Sequence, residues 1–441
     1  MTAAEVRVPH ARLIVGLAAL AVCAAILLLT RGYTFYFDEW AFILTAPDWT
    51  ATTYLQPHNG HPAMLTRLIY SALLATVGLR SYLPYMAVLL ALHATTTVLL
   101  FELVRRRAGD LVGIASAALL LVIGSGWENL LWAFQMSFVG SVACGLGMLV
   151  GLESSARWRM PVVTALLTAS VMFSAVGLFF GIVAGVRLIA TSERRLELMW
   201  LVPVAIAFAA WFLTFGLHNA ESGSPAPTRN IAGLPLYTLW GLGASVAGLI
   251  GEGGWLGIPL LVLAAAAVGF TWWRVGFDSF ALGVALALVA FYVVAGLARG
   301  QTGYEQSGAG RYVYVGAVFW LILLGDAARR VPWRGTWRPA LAALLFLSCF
   351  NSGAVLVEFG TAKAAQMQRQ VADLQALTAV RDNPCLDPSG AVDPLVMPAQ
   401  TSPALYYRAI DRYGDPSAGQ PVPDRAAFEQ ARTNLLKPGC K

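Results

Sequence analysis

Ionisable groups are scarce in this sequence, and apart from arginines in short gaps and a polar C-terminal tail they gather in four places. These are Asp38-Glu39-Trp40, His58-Asn59-Gly60-His61, Trp127-Glu128-Asn129, and the run from Arg299 to Arg311 followed by Tyr312. The first lies in Tyr33-Thr34-Phe35-Tyr36-Phe37-Asp38-Glu39-Trp40, directly after an apolar stretch. Two carboxylates among aromatics at a lipid-water boundary lose hydration. Desolvation raises a carboxyl pKa and makes it a better proton acceptor near neutral pH. A structural reading stands beside the chemical one: Asp38 as N-cap of a helix over Glu39 to Thr45, with Glu39 favoured in its first turn.

His58 and His61 are two of the chain's five histidines, and their spacing suits two metal ligands. Gly60 and Pro62 make the segment a loop, and no third ligand is adjacent, so sugar or phosphate hydrogen bonding and a plain structural turn stand beside metal binding. The glycine-rich run Arg299-Gly300-Gln301-Thr302-Gly303 through Gly308-Ala309-Gly310-Arg311 can fold closely over a ligand. Arg311 then opens an apolar span, where a planar fork of donors at headgroup depth suits a lipid phosphate. The alternative is an arginine snorkelling to ordinary phospholipid. No P-loop or dinucleotide fingerprint occurs, so nucleotide-driven chemistry has no support.

The elements that position these residues are apolar. Of 441 residues, 58% are hydrophobic and 12% charged, with a mean hydropathy of +0.65; soluble domains carry about 25% charged residues. This composition excludes a soluble enzyme and predicts an all-α polytopic membrane protein. The net charge of +6 is not clustered on a soluble face, which argues against nucleic acid. The arginines lie mostly in short gaps between spans, as the positive-inside rule requires of cytoplasmic loops.

That rule predicts an uncleaved first span over Arg12 to Thr30 with the N-terminus cytoplasmic. It is too long for a signal-peptide core, and a valine before Cys23 spoils a lipoprotein box. The external loop 31–81 follows, with Pro62 to Gly78 lying in the interface. Further spans are expected over Tyr82 to Val104, Leu111 to Gly126 and Phe134 to Leu152. Met160 to Ala190, about 46 Å as a helix, is too long for one span and is divided into two short ones turning at Ser174 to Gly177. Leu198 to Leu217 leads out to a polar loop over His218 to Asn230. Ile231 to Gly254 reads as interfacial or re-entrant by parity. Trp255 to Trp273, Phe280 to Leu297, Tyr312 to Leu324 and Leu341 to Val357 complete about eleven crossings.

All four polar clusters then face outside, as does the tail. Cys23, Cys144 and Cys349 fall within spans, whereas Cys385 and Cys440 are the two in the exported tail and form the expected disulfide. Residues 1–359 make the membrane domain and 360–441 a small extracytoplasmic module. Tyr406 and Tyr407 in that module suit packing better than sugar stacking.

An N-in first span, an acidic pair opening the first external loop, amphipathic helices in that loop and a soluble module after the last span resemble the GT-C superfamily of integral-membrane glycosyltransferases. The resemblance covers Arg12 to Val357 and is strongest from Phe37 to Tyr85. Asp38-Glu39-Trp40, His58-Asn59-Gly60-His61, Gly126-Trp127-Glu128-Asn129-Leu130 and Gly310-Arg311-Tyr312 are similar to patterns in actinobacterial members. It implies inverting transfer of a sugar from a polyprenyl-phosphate donor to a glycan or lipid acceptor of the cell envelope, at the outer face of the bacterial cytoplasmic membrane. Asp38 would be the general base, and Glu39 would orient the acceptor or help bind a metal. Arg311 would balance charge on the departing phosphate, and His61 with His58 would contact phosphate, acceptor or metal. Glu128, Arg299 and Tyr312 join the substrate-binding set. Members differ over a divalent metal, so none is assigned.

A transporter or flippase of a lipid-linked sugar is the alternative, using the same groups for recognition alone. Such proteins often carry paired repeats and midplane sites. This sequence has no visible repeat, and its polar groups cluster on one side.

Overall fold

The computed structural model describes residues 2, 6–217, 227–276, 278–329, 331, 335, 337–388, 397 and 401–440. Most of the polar loop expected between His218 and Asn230 lies outside these residues. The first element, α1 (Ala11–Leu29), leads into the loop 31–81, expected to be external, which carries α2 (Asp38–Thr45), a two-stranded hairpin of β1 (Pro57–His58) and β2 (His61–Pro62), and the amphipathic α3 (Met64–Thr76). Next come α4 (Leu83–Ala108), α5 (Asp110–Leu121), the single turn α6 (Glu128–Leu131), α7 (Met136–Leu152), α8 (Arg159–Phe173) and α9 (Gly177–Ala190). The chain continues through α10 (Val202–Trp211), α11 (Pro227–Ala247), α12 (Gly257–Val275), α13 (Ser279–Arg299) and α14 (Gly310–Ala328). The 43-residue α15 (Trp337–Ala379) then leads into α16 (Pro403–Tyr413) and α17 (Arg425–Leu435).

Among the described residues nine helices are long and apolar enough to cross a bilayer, and four more are shorter and apolar. The fold is an all-α polytopic membrane fold. The helix pair α8 and α9, divided at Ser174–Val176, matches the expected division of the Met160 to Ala190 run. Apolar side chains on α1, α12 and the first half of α15 point outward, among them Leu20, Leu263 and Phe350. Lipid tails solvate such surfaces as readily as a protein core does, so burial is reserved for inner helices such as α7 and α14.

Length and hydropathy alone make α11 a span, but both its ends sit at one end of the bundle. Near its start, Asn230 donates to Leu297 O at 2.8 Å. Just past its finish, Asn351 donates to Ile250 O at 2.8 Å, and the adjacent Ser352 accepts from Gly124 N at 2.9 Å. Gly243 and Gly257 let α11 and α12 meet backbone to backbone, since a Cβ on either would crowd the other at about 3 Å.

The opposite end of the bundle carries a second group of arginines, paired with acids. Arg12 and Arg106 each meet Glu102 at 2.9 Å, Arg105 meets Asp110 at 3.0 Å, Arg187 meets Glu153 at 3.0 Å, and Arg107 bridges Asp278 and Asp326.

At about 65 Å, α15 is twice the thickness of a bilayer core. It runs unbroken through the expected boundary at residue 359, and its second half packs on the external loop. Tyr33 Oη donates to Gly360 O at 2.7 Å, and Gln370 donates to Phe35 O. Tyr406 on α16 is fully buried beside Trp40 on α2, with ring centroids 5.6 Å apart, and Arg408 pairs with Asp48 at 2.5 Å. Cys385 and Cys440 are joined in a disulfide. Beside it, Lys437 N donates to Cys385 O at 2.9 Å and Asp387 N to Leu435 O at 3.1 Å.

Candidate active site

The external loop turns sharply at Phe37, whose φ of 45° and ψ of −105° are costly for a residue with a Cβ. The helix α2 starts at Asp38 itself. Asp38 therefore makes no side-chain cap, and the N-cap reading of this residue does not hold. Its carboxylate faces an interior cavity instead.

Glu39 points the other way, with no exposed surface. Its Oε1 accepts from Tyr70 Oη at 2.8 Å and Tyr82 Oη at 3.0 Å, and its Oε2 accepts from Tyr36 N at 2.7 Å. Tyr82 Oη in turn accepts from Ala133 N at 2.9 Å. Burial drives the Glu39 pKa up to about 8, against the opposing pull of these hydrogen bonds and of the Lys363 charge. A contact of Glu39 with an acceptor or a metal, expected from the resemblance, is not available in this packing. Glu39 ties α2, α3, the start of α4 and the turn before α7 into one support beneath Asp38.

The histidine segment is a tight hairpin. Asn59 (φ 50°) and Gly60 (φ 81°) take the two left-handed positions that a two-residue primed turn requires, which is why Asn-Gly suits it. His58 and His61 are cross-strand partners. His58 Nε2 lies 3.7 Å from Asp38 Oδ1, and Asn59 Nδ2 donates to Asp38 Oδ2 at 3.3 Å. His61 packs edge-on against Phe138 at 5.5 Å. Burial, with the charges of Arg299, His58 and Arg311, lowers the His61 pKa to about 4, so its imidazole is neutral at physiological pH. It can hydrogen-bond a phosphate but not neutralise it.

Arg311 opens α14, held by Glu128 through its backbone N at 3.0 Å and its Nη1 at 3.2 Å. Gly310 permits this approach, since a Cβ there would stand 3.1 Å from Ser125 O and 3.2 Å from Glu128 N. Arg299 ends α13 and donates to Asn59 O at 3.1 Å.

Asp38, His58, His61, Glu128, Arg299, Arg311 and Tyr312 thus line a single polar chamber of about 490 Å³. Of the residues singled out in the sequence for this site, Glu39 alone stays out of it. The chamber also takes Lys363 and Gln366 from α15 and Trp132 and Gln135 from the turn before α7, none of which sequence reasoning selected. Lys363 had a compositional signal, because the other lysines, Lys437 and Lys441, close the chain. Its Nζ stands 3.2 Å from the Tyr36 ring centre.

A second cavity of about 730 Å³ adjoins the chamber. Its walls are apolar side chains of α8, α9, α10 and α13, such as Leu167, Phe179, Val204 and Phe291. Asn59, His61, Phe138, Arg299 and Tyr312 border both spaces. A long apolar groove therefore ends at a cationic, hydrogen-bonding chamber with a carboxylate at its far wall.

The crystal structure of ArnT from Cupriavidus metallidurans bound to undecaprenyl phosphate is similar to this chain, with a TM-score of 0.56 at 14% sequence identity, covering 90% of this chain and 87% of that one. The chain shares the fold of that structure. No family model and no curated protein sequence matches the chain. Among the described residues no three His, Cys, Asp or Glu side chains converge as a metal site. Asp38 and His58 face each other with Asn59 as their neighbour, an arrangement suited to orienting a base.

Proposed function

We propose that this chain is a glycosyltransferase that moves one sugar from a polyprenyl-phosphate donor to an acceptor hydroxyl at the outer face of the bacterial cytoplasmic membrane, with inversion at the anomeric carbon. The observation that carries the reading is the shared border of groove and chamber at Asn59, His61, Phe138, Arg299 and Tyr312. A prenyl chain in the apolar groove brings its phosphate to Arg299 and Arg311. The sugar then lies in the chamber, within reach of Asp38. ArnT was crystallised with undecaprenyl phosphate, which supports a carrier of that class here.

The acceptor hydroxyl gives its proton to Asp38, the acceptor oxygen bonds to the anomeric carbon, and the bond from that carbon to the phosphate oxygen breaks. One displacement inverts the centre. Asn59 and His58 fix the orientation of the base, since both address its oxygens. Arg311, anchored by Glu128, and Arg299 meet the negative charge that grows on the leaving phosphate, which is stabilisation aimed at the transition state. The polar groups gather at one end of the bundle, which supports the enzyme over a flippase using the same groups for recognition.

The deciding experiment incubates purified protein with a panel of polyprenyl-phosphate sugars and measures released lipid phosphate in the presence of candidate acceptors. Asp38→Asn should abolish release while leaving carrier binding and melting temperature near wild type. Folded wild-type protein that releases no lipid phosphate from any donor would overturn the reading.

A further inference from the structure

Among the described residues, four buried polar atoms on the chamber wall have no hydrogen-bond partner: Trp132 Nε1, Gln135 Oε1, His61 Nδ1 and His58 Nε2, the last of which lies 3.7 Å from Asp38 Oδ1. Leaving a buried donor or acceptor unpaired is costly, so native proteins reserve such groups for ligand or water. The two histidines belong to the hairpin beside Asp38. Trp132 and Gln135 come from a different element, the turn between α6 and α7. That turn is fixed at both ends, by the Glu128 pair with Arg311 and by the hydrogen bond from Ala133 N to Tyr82 Oη. Gln135 is only 4% exposed. The indole of Trp132 is held between Tyr36 and Phe134, at 5.7 and 5.8 Å. Among the described residues neither group, one a donor and the other an acceptor, has a hydrogen-bond partner.

The charges of the chamber narrow what they meet. Its carboxylates are Asp38, held by Asn59 and His58, and Glu128, paired with Arg311. Against these stand Arg299, Arg311 and Lys363. The donor phosphate takes up the cationic surplus, and no carboxylate is left over for an ammonium group. Sugar hydroxyls, each both donor and acceptor, match an indole N–H and an amide oxygen side by side.

We propose that Trp132 and Gln135 form the sugar-recognition subsite of the donor, and that the sugar is a neutral, hydroxylated ring and not an amino sugar. This rests on the function proposed above. Trp132 Nε1 donates to a ring hydroxyl, and Gln135 Oε1 accepts from another. Both residues act on specificity, away from the reacting atoms.

The test uses full-length protein in lipid nanodiscs and native mass spectrometry. It compares binding of bare undecaprenyl phosphate with the same carrier bearing glucose, mannose, galactose, arabinose or glucosamine. Trp132→Phe removes the indole N–H and Gln135→Met the side-chain amide whose oxygen has no hydrogen-bond partner, so the fold is expected to survive, checked by melting temperature. Wild type should bind at least one neutral sugar carrier more tightly than the bare carrier. Each variant should lose about five- to tenfold of that affinity, the worth of one buried hydrogen bond, with bare-carrier binding unchanged. The glucosamine carrier should bind no better than the bare one.

Equal losses for bare and loaded carriers in the variants would overturn the subsite. So would a wild type indifferent to every neutral sugar, or one that prefers glucosamine. A wild type that binds no carrier at all, bare or loaded, would overturn the proposed function and this subsite with it.

Discussion

Arg299 donates a 3.1 Å hydrogen bond to the backbone carbonyl of Asn59, 240 positions away in sequence, while the side chain of Asn59 donates to Asp38 at 3.3 Å. The end of α13 is thereby linked through one residue to the candidate base on α2. Asn59→Gly separates the two functions of this residue. Glycine accepts the left-handed backbone of the turn and keeps the carbonyl for Arg299, but it removes the bond to Asp38. Loss of one hydrogen bond to a charged group, about 1.5 kcal/mol, predicts a kcat about tenfold lower with donor KM little changed. Steady-state release of lipid phosphate measures both constants, and an unchanged kcat would show that this bond does not position the base.

Glu39 predicts a pH dependence. Its folded pKa, near 8, lies above the ordinary value of 4.5, so the protonated carboxyl is the form that the packing favours. That stabilisation is whole below about 4.5 and is lost as pH climbs through about 8. The groups facing it, Tyr70, Tyr82, the Tyr36 backbone and Lys363, all favour the ionised form, and burial outweighs them. Thermal stability of the wild type should decline as pH rises from about 5 to 8 and level off above that. Glu39→Gln should flatten that decline with near-normal activity at pH 7, whereas Glu39→Ala, which orphans two buried tyrosines, should destabilise at every pH. A wild-type curve flat through pH 9 would contradict this account.

Much of the membrane fold and most of the chamber were legible in the sequence because charge is expensive in lipid. A buried ionisable side chain in a span needs a reason, so the few outer-end charges were informative by their rarity. Asp38, Arg299 and Arg311 were found this way, from three separate stretches that only the fold brings together. Glu39 was misread because adjacency to Asp38 says nothing about direction. A tight turn at Phe37 sends the two carboxylates to opposite sides, and the partners of Glu39 lie 31 and 43 positions on. Trp132 and Gln135 gave no signal, since an aromatic and an amide between two spans are ordinary interface residues until their unpaired atoms are seen. For α11, parity gives an interfacial or re-entrant element where hydropathy alone gives a span, because arginine placement carries topology that apolar length does not.

The disulfide predicts a measurable mass and a local stability. Under non-reducing conditions a proteolytic tail fragment containing Cys385 and Cys440 should be about 2 Da lighter than its reduced form. Closing a loop of 55 residues stabilises by about 4 kcal/mol in the chain-entropy model. Replacing both cysteines with serine should therefore speed limited proteolysis between residues 381 and 440. Cleavage in the membrane bundle should be unaffected, because Cys23, Cys144 and Cys349 are free. Free thiols at both tail positions in freshly purified protein would reject the pairing.

Lys363 predicts that the tail helix takes part in donor binding. It projects from α15 into the chamber, with Nζ against the Tyr36 ring and donating to Gln366 Oε1 at 3.0 Å. Neither partner is anionic, so its charge is available to a phosphate that Arg299 and Arg311 approach from the other wall. Lys363→Met keeps the length and packing of the stem and removes the charge. It should raise donor KM about tenfold, with a smaller effect on kcat, and should weaken the salt dependence of carrier binding. Lys363→Arg restores the charge on a longer, planar head and should recover most of the affinity. A kcat defect in Lys363→Met that Lys363→Arg fails to rescue, with KM unchanged, would assign Lys363 to packing against Tyr36 and not to the phosphate.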